Sequence, residues 1–289
     1  MNVQRNSVTN SPTGYWIVIP AYNEAGTIRG VASRAFRQSK NVIVVDDGST
    51  DGTKEALSGL AVIVLKNPTN CGKAGSLWRG FQYALEAGAS GVVTLDGDGQ
   101  HAPEEIPKLI SAAIASPDHL IIGARRRDQH RIAFWRYLAN RIADFWISWA
   151  AGATFHDSQS GFRVYPTSLL RNVKVPYGKS RSFVFESEIL IEATRACYRT
   201  VTVPIDALRR AGARPSYFRP VLDIVRITRM VAWKILSRGL YLQGLYALIK
   251  ASAEGGPDIV QAKGAQRDNE DKSRNTERLP SGTSHKLPL

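Results

Sequence analysis

Through its first 124 residues the chain alternates short apolar, β-branched runs with helix-patterned stretches. The runs are 15–19, 41–46, 61–65, 91–95 and 119–124, and helices are expected at 24–38, 51–58, 72–88 and 103–115. Strands that alternate with helices pair in parallel, and the helices then cover both faces of the sheet. The expectation is an α/β, Rossmann-like fold with a mostly parallel sheet. Ligands of such open sheets collect at the carboxyl ends of the strands. Chemistry should therefore be sought in the residues directly after each apolar run.

Three of the runs end in polar or acidic clusters. The first leads into Pro20-Ala21-Tyr22-Asn23-Glu24, the second into Asp46-Asp47-Gly48-Ser49-Thr50-Asp51, and the fourth into Asp96-Gly97-Asp98-Gly99-Gln100-His101. In extended backbone, residues i and i+2 project to the same side, so Asp96 and Asp98 can present oxygens to one point. Gly97 and Gly99 leave room for a ligand against the backbone. Hard oxygen donors of this kind suit Mg²⁺ or Mn²⁺, with a phosphate as the remaining ligand. Alone the pair is weak, because Asp often caps the helix that follows it. Its weight comes from the two other strand ends.

The remaining candidates obey the same logic. Pro20, Tyr22, Glu24, Asp46 and Asp47 can frame a nucleoside, since a carboxylate accepts from the N–H edge of a base and a tyrosine ring can stack. Asp51 reads as a helix N-cap whatever the function. Asn70-Cys71-Gly72-Lys73 precedes a helix whose first N–H groups, with Lys73, would attract a phosphate. Arg125 ends the fifth run and can grip a phosphate bidentately, whereas Arg126, Arg127 and Arg131 fit a solvated loop as well.

In this order, and with Asp157-Ser158-Gln159-Ser160-Gly161-Phe162-Arg163 downstream, these motifs resemble family-two glycosyltransferases of the GT-A fold. Within that family the resemblance is to dolichyl- and polyprenyl-phosphate sugar synthases, and it spans about residues 15 to 215. It implies an inverting hexosyltransferase that takes a nucleoside-diphosphate sugar as donor. Asp98 and Gln100 would bind the metal, with Asp96 reaching it through water or holding the ribose. Asp157, Asp98 and Arg163 would be catalytic. A hydroxyl acceptor would require Asp157 as general base. A phosphate acceptor is already nucleophilic above its second ionisation near pH ~6, and Asp157 would then orient acceptor or sugar. Arg163 would pair with Asp157 or meet the acceptor phosphate. The chain departs from the family at 209–218, which carries arginines but not the usual lysine, and at Tyr137, where an arginine is usual and Arg136 is adjacent.

The net charge of +13 bears on the acceptor. Residues 251–289 hold as many acidic as basic side chains, so the surplus lies in the first 250 residues. A basic fold around an acidic cluster suits polyanionic ligands or an anionic membrane surface. No zinc finger, basic zipper or aromatic ribonucleoprotein pattern accompanies the charge, and a nucleic-acid partner is not expected. Residues 131–153 are helical and aromatic; a strand at 162–165, a helix near 185–197 and a strand near 200–205 follow. Segment 219–250 reads as amphipathic helices in which Trp233 and aliphatics interleave with arginines, a composition that can lie in a membrane interface. Packing on the domain, with the arginines solvated, is the competing reading.

The expected organisation is a flexible N-terminus over 1–13, a GT-A domain over 14–218, the helical segment 219–250 and a disordered tail over 251–289. Cys71 and Cys197 form no disulfide or zinc pattern, the N-terminus lacks a signal peptide's apolar core, and no apolar run is long enough to span a bilayer. A cytoplasmic protein, peripheral on the inner face of the plasma membrane, is the expectation. Two alternatives stand beside it: a soluble transferase acting on a saccharide or small-molecule hydroxyl, and a non-catalytic nucleotide- or lipid-binding scaffold.

Overall fold

The computed structural model describes residues 14–125, 134–181, 184–206 and 220–253. The expected flexible N-terminus, Arg126, Arg127, Arg131, the 209–218 stretch, the side chains of Arg136 and Tyr137, and the tail from 254 lie outside the described residues.

Seven strands form one sheet in the order β3-β2-β1-β4-β6-β5-β7. They are β1 (Tyr15–Ala21), β2 (Val42–Asp46), β3 (Ile63–Lys66), β4 (Gly91–Thr94), β5 (Leu120–Arg125), β6 (Arg163–Pro166) and β7 (Thr200–Ile205). The sheet is parallel except for β6, which runs antiparallel to both β4 and β5. That insertion matters for function. Because β6 is reversed, its first residues meet the last residues of β4, with Thr94 opposite Arg163. The loop 157–162 is thus delivered to the same sheet edge as the acidic turn after β4.

The side chains of β1 show how the sheet divides the core. Trp16 and Val18 face α3 (Gly72–Glu86), α5 (Phe134–Ala151) and α7 (Val184–Arg195), while Ile17 and Ile19 face α1 (Ile28–Gln38) and α4 (Ile106–Ala115). Alternate residues of a strand point to opposite faces, so a run apolar throughout has both faces covered. The connection between β2 and β3 contains α2 (Thr53–Ala56), and α6 (Thr167–Asn172) follows β6.

Three helices differ from expectation; the one expected from 103 starts as a 3-10 turn, Pro103–Glu105, before α4. The one expected from 24 begins at Ile28, because residues 23–25 instead bond to the β2–α2 loop: Asn23 N–H donates to Ser49 Oγ, Glu24 N–H to Thr53 Oγ1, and Ala25 N–H to Asp51. The one expected over 51–58 shrinks to Thr53–Ala56, with Gly52 left-handed at φ 86° and Asp51 Oδ1 accepting the Thr53 N–H. Loop-to-loop hydrogen bonds here replace helix ends, as Asx turns commonly do.

The chain closes with α8 (Pro220–Leu236) and α9 (Leu242–Ala253). Helix α8 buries Met230, Val231 and Ile235 against the domain, yet Leu222, Ile224, Val225, Trp233 and Leu236 are exposed, Trp233 to 70%. Leu242, Tyr246 and Ile249 of α9 and Phe145 and Trp146 of α5 are exposed as well. Among the described residues no helix is long and apolar enough to cross a membrane.

Candidate active site

The carboxyl ends of β1, β2, β4 and β5 lie along one edge of the sheet, and β6 enters from the same side. The β2 part of this edge carries two buried aspartates with different tasks. Asp47 Oδ1 accepts from Asn67 Nδ2 at 2.7 Å and Cys71 N–H at 2.9 Å, and Oδ2 accepts from Gly72 N–H at 2.8 Å. Asp47 therefore occupies amides at the start of α3 that the sequence offers to a phosphate, and it holds the 67–72 turn rather than facing a nucleoside. Asp46 differs. Its Oδ1 accepts the Ser49 N–H at 2.9 Å, while Oδ2 is buried and meets no donor among the described residues. An orphaned buried acceptor calls for a partner from outside the chain. Pro20 lies on β1 opposite Val45, so it shares this part of the edge, and Tyr22 and Glu24 follow it in the loop; Glu24 accepts from Thr27 Oγ1.

The turn after β4 is held by its own atoms. Asp98 accepts the Gln100 N–H at 2.9 Å on one oxygen and Gln100 Nε2 at 2.8 Å on the other. Gly97 packs against the Pro20 carbonyl, where an added Cβ would lie at 3.1 Å, so the turn sits flush on β1. Burial and then the neighbouring Asp96 charge push the Asp98 carboxyl above its usual range. His101 is 5% exposed, its Nδ1 lacks a hydrogen-bond partner among the described residues, and it lies 3.9 Å from Asp96 Oδ2. Burial lowers its pKa despite the two carboxylates, which keeps the ring neutral at neutral pH.

Lys73 is held between two carboxylates. Its Nζ lies 2.6 Å from Asp96 Oδ1 and 3.0 Å from Glu186 Oε2, on α7. Burial alone would lower the lysine pKa, but Asp96 and Glu186 together overcome it and raise it. The three charged tips converge over Gly161. A Cβ there would come within 2.8 Å of Asp96, 2.9 Å of Glu186 and 3.0 Å of Lys73.

At the end of β5, Asp157 is 2% exposed and is gripped by Arg125 through its backbone N–H, Nε and a terminal nitrogen. Of the two alternatives for Arg163, the pair with Asp157 gives way to Asp157–Arg125. Arg163 is fully buried, and its guanidinium donates to the carbonyls of Ser160, Glu186 and Ser158 at 2.8, 2.6 and 2.8 Å. It ties the 157–163 loop to α7 and is not free to meet an acceptor phosphate.

The donor set at the β4 turn fits a divalent cation. It offers the Asp98 carboxylate, the Gln100 amide oxygen, and Asp96 through its second oxygen. Among the described residues no three of His, Cys, Asp and Glu stand together as a closed cage. The site is an open one, of the kind completed by phosphate oxygens and water as Mg²⁺ sites commonly are. Two residues in this constellation escape sequence reasoning. His101 carries a signal, its place directly after Gln100. Glu186 carries none, since only the packing of α7 against the sheet edge brings it to Lys73.

A mostly parallel sheet of this order, with an acidic turn ending its central strand, defines a GT-A glycosyltransferase. The chain belongs to glycosyl transferase family 2, whose model matches residues 16–175. It is 30% identical over 205 residues to the polyprenol monophosphomannose synthase of Mycolicibacterium smegmatis, covering 67% of this chain and 77% of that protein. It is 32% identical over 239 residues to the undecaprenyl-phosphate mannosyltransferase of Micrococcus luteus, covering 76% and 94%. In fold it is similar to the glucosyl-3-phosphoglycerate synthase of Mycobacterium tuberculosis, solved in complex with Mg²⁺ and UDP, at a TM-score of 0.55 and 23% identity over 78% of each chain.

Proposed function

We propose that this protein transfers a hexosyl group, with inversion, from a nucleoside-diphosphate sugar to a polyprenyl phosphate at a membrane surface, and that it requires a divalent metal to do so. The observation that carries this reading is the meeting of Asp98, Asp96 and Lys73 at one strand end with the Arg125–Asp157 pair opposite. The named relatives act on polyprenyl and undecaprenyl phosphates, which supports the acceptor class.

The roles divide by geometry. Asp46 Oδ2 accepts an N–H of the base, with Pro20, Tyr22 and Glu24 framing the nucleoside. Asp98 and Gln100 would hold the metal, and Asp96 would reach it through water or hold the ribose. A bound divalent cation neutralises the diphosphate as charge grows on it. Lys73 supplies a fixed positive charge beside Asp96, and Arg125 supplies one from the end of β5. An acceptor phosphate oxygen attacks the anomeric carbon as the bond from that carbon to the diphosphate oxygen breaks. The phosphate dianion carries no proton on its attacking oxygen, so no base is needed. Asp157 orients Arg125 and through it the reacting phosphates. Arg163 keeps the loop in place from beneath.

The exposed apolar side chains of α5, α8 and α9, with Arg226, Arg229 and Arg238 among them, support docking on an anionic membrane. In this reading the protein is peripheral on the cytoplasmic face, where nucleotide sugars are available. The test is to incubate the protein with Mn²⁺, a panel of nucleotide sugars and short-chain polyprenyl phosphate in anionic vesicles, and to weigh the lipid product. A glycosyl monophospholipid formed with one donor supports the reading. Transfer only to soluble hydroxyl acceptors favours the soluble alternative, and no metal-dependent turnover of any donor favours the scaffold.

A further inference from the structure

Glu186 has no part in the roles assigned to the donor and acceptor, yet it is 8% exposed and fixed at both ends. Its backbone carbonyl accepts from the buried Arg163 guanidinium at 2.6 Å, and its Oε2 lies 3.0 Å from Lys73 Nζ. It sits in the first turn of α7, where the helix N-terminus favours a negative charge. Lys73 is on the first turn of α3. A lysine side chain has four rotatable bonds, and one carboxylate would leave it free to swing about that contact. Two carboxylates on separate elements hold it in one place, and Gly161 beneath, lacking a side chain, leaves room for the three tips to meet.

We propose that Glu186 is a positioning residue for donor binding: it anchors the Lys73 ammonium against Asp96 so that the lysine charge stands beside the donor diphosphate. The inference rests on the proposed donor and adds to it the group through which Lys73 is aimed. Glu186 does not touch the donor. Its effect on the donor passes entirely through Lys73, and that sets the test.

The measurement is calorimetric binding of UDP, with GDP in parallel, in the presence of Mn²⁺, for wild type, Glu186→Ala, Glu186→Gln, Lys73→Met and the Glu186→Ala/Lys73→Met double variant. Loss of a charge-assisted contact predicts about tenfold weaker binding for Glu186→Ala. Glu186→Gln should stay within about threefold of wild type, because its amide oxygen still accepts from the ammonium. In the Lys73→Met background Glu186→Ala should add less than about twofold, since coupled residues are non-additive. An additive cycle, an unaffected Glu186→Ala, or a Glu186→Gln as weak as Glu186→Ala overturns the assignment while leaving the proposed donor intact. Failure of the wild type to bind either nucleotide overturns both. Thermal unfolding of each variant identifies any that lost the fold, and Glu186→Gln then carries the test.

Discussion

Arg125 holds Asp157 from three directions: its backbone N–H and Nε donate to Oδ2 at 3.0 and 2.8 Å, and a terminal nitrogen donates to Oδ1 at 2.7 Å. Both carboxylate oxygens are thus committed to Arg125. The pair predicts an orienting role, and a pH–rate profile at saturating donor distinguishes it from general base catalysis. Asp157→Asn should lose less than the roughly 10²- to 10⁴-fold typical of a missing base. The acidic limb should remain near pH ~6, because it reports ionisation of the acceptor phosphate. Disappearance of that limb together with most of the activity would show that Asp157 removes a proton from a hydroxyl.

Gly161 gives a second test. Its φ lies outside the left-handed region, and the nearest atoms a methyl group there would meet are the tips of Asp96, Glu186 and Lys73. Shifting these paired groups disturbs the ion cluster, so Gly161→Ala should lower stability by about 1–3 kcal/mol, the range of most destabilising substitutions. Donor binding should weaken by at least about tenfold, as expected when a charge-assisted contact is disturbed. Thermal unfolding and UDP titration of the same sample read both quantities. Unchanged UDP affinity would contradict the convergence of these groups on the donor.

Arg163 predicts a different pattern. Removing a buried guanidinium takes the donor from the loop carbonyls of Ser158 and Ser160, at about 1–3 kcal/mol for each unsatisfied group, and cuts the tie to the Glu186 carbonyl. Arg163→Met should therefore lower the unfolding midpoint in urea strongly. If the residue acts only through the loop, the folded fraction at low temperature should retain a donor KM near that of wild type. A fully stable variant that has lost turnover would return Arg163 to the reacting groups.

Much of this arrangement is legible in the sequence, and the parts that are not share a cause. Strand–helix alternation predicts the parallel sheet, and the acidic turns predict which edge is functional. Both are local patterns. Partner choice at the site is not local. Lys73 with Glu186 is separated by 113 positions, and Asp157 with Arg125 by 32. The Asp157–Arg163 pair, one of two alternatives for Arg163, gives way because β6 begins at Arg163 and that side chain bonds to the loop carbonyls instead. Asp47 reads as a nucleoside ligand and instead caps the turn before α3, since the Cys71 and Gly72 amides need an acceptor. The antiparallel insertion of β6 has no sequence signal beyond a short strand-like run, and it is what brings loop 157–162 to the site.

The exposed apolar side chains of α8 and α9 predict membrane association with two separable components. Co-sedimentation with anionic vesicles should fall as salt rises, because exposed charges are screened over about 10 Å at 0.1 M. Trp233→Ser should reduce binding at every salt concentration while leaving thermal stability within about 0.5 kcal/mol, as for other exposed positions. Equal binding to neutral vesicles, or none to either, would contradict docking through this face.

The most direct test of the account is a calorimetric titration of Mn²⁺ in the presence of UDP, for wild type and Asp98→Asn, with thermal unfolding of both proteins measured without metal at neutral pH. The Asp98 pKa is raised in the folded state, so the folded protein binds more protons than the unfolded chain between the two values. Stability then falls as pH rises through that window, and the ionised carboxylate is a net cost at neutral pH. The account predicts that Asp98→Asn loses Mn²⁺ binding yet unfolds no earlier than wild type, because burial and then the Asp96 charge make the ionised Asp98 carboxylate costly when no metal is bound. Undiminished Mn²⁺ affinity in Asp98→Asn would contradict it.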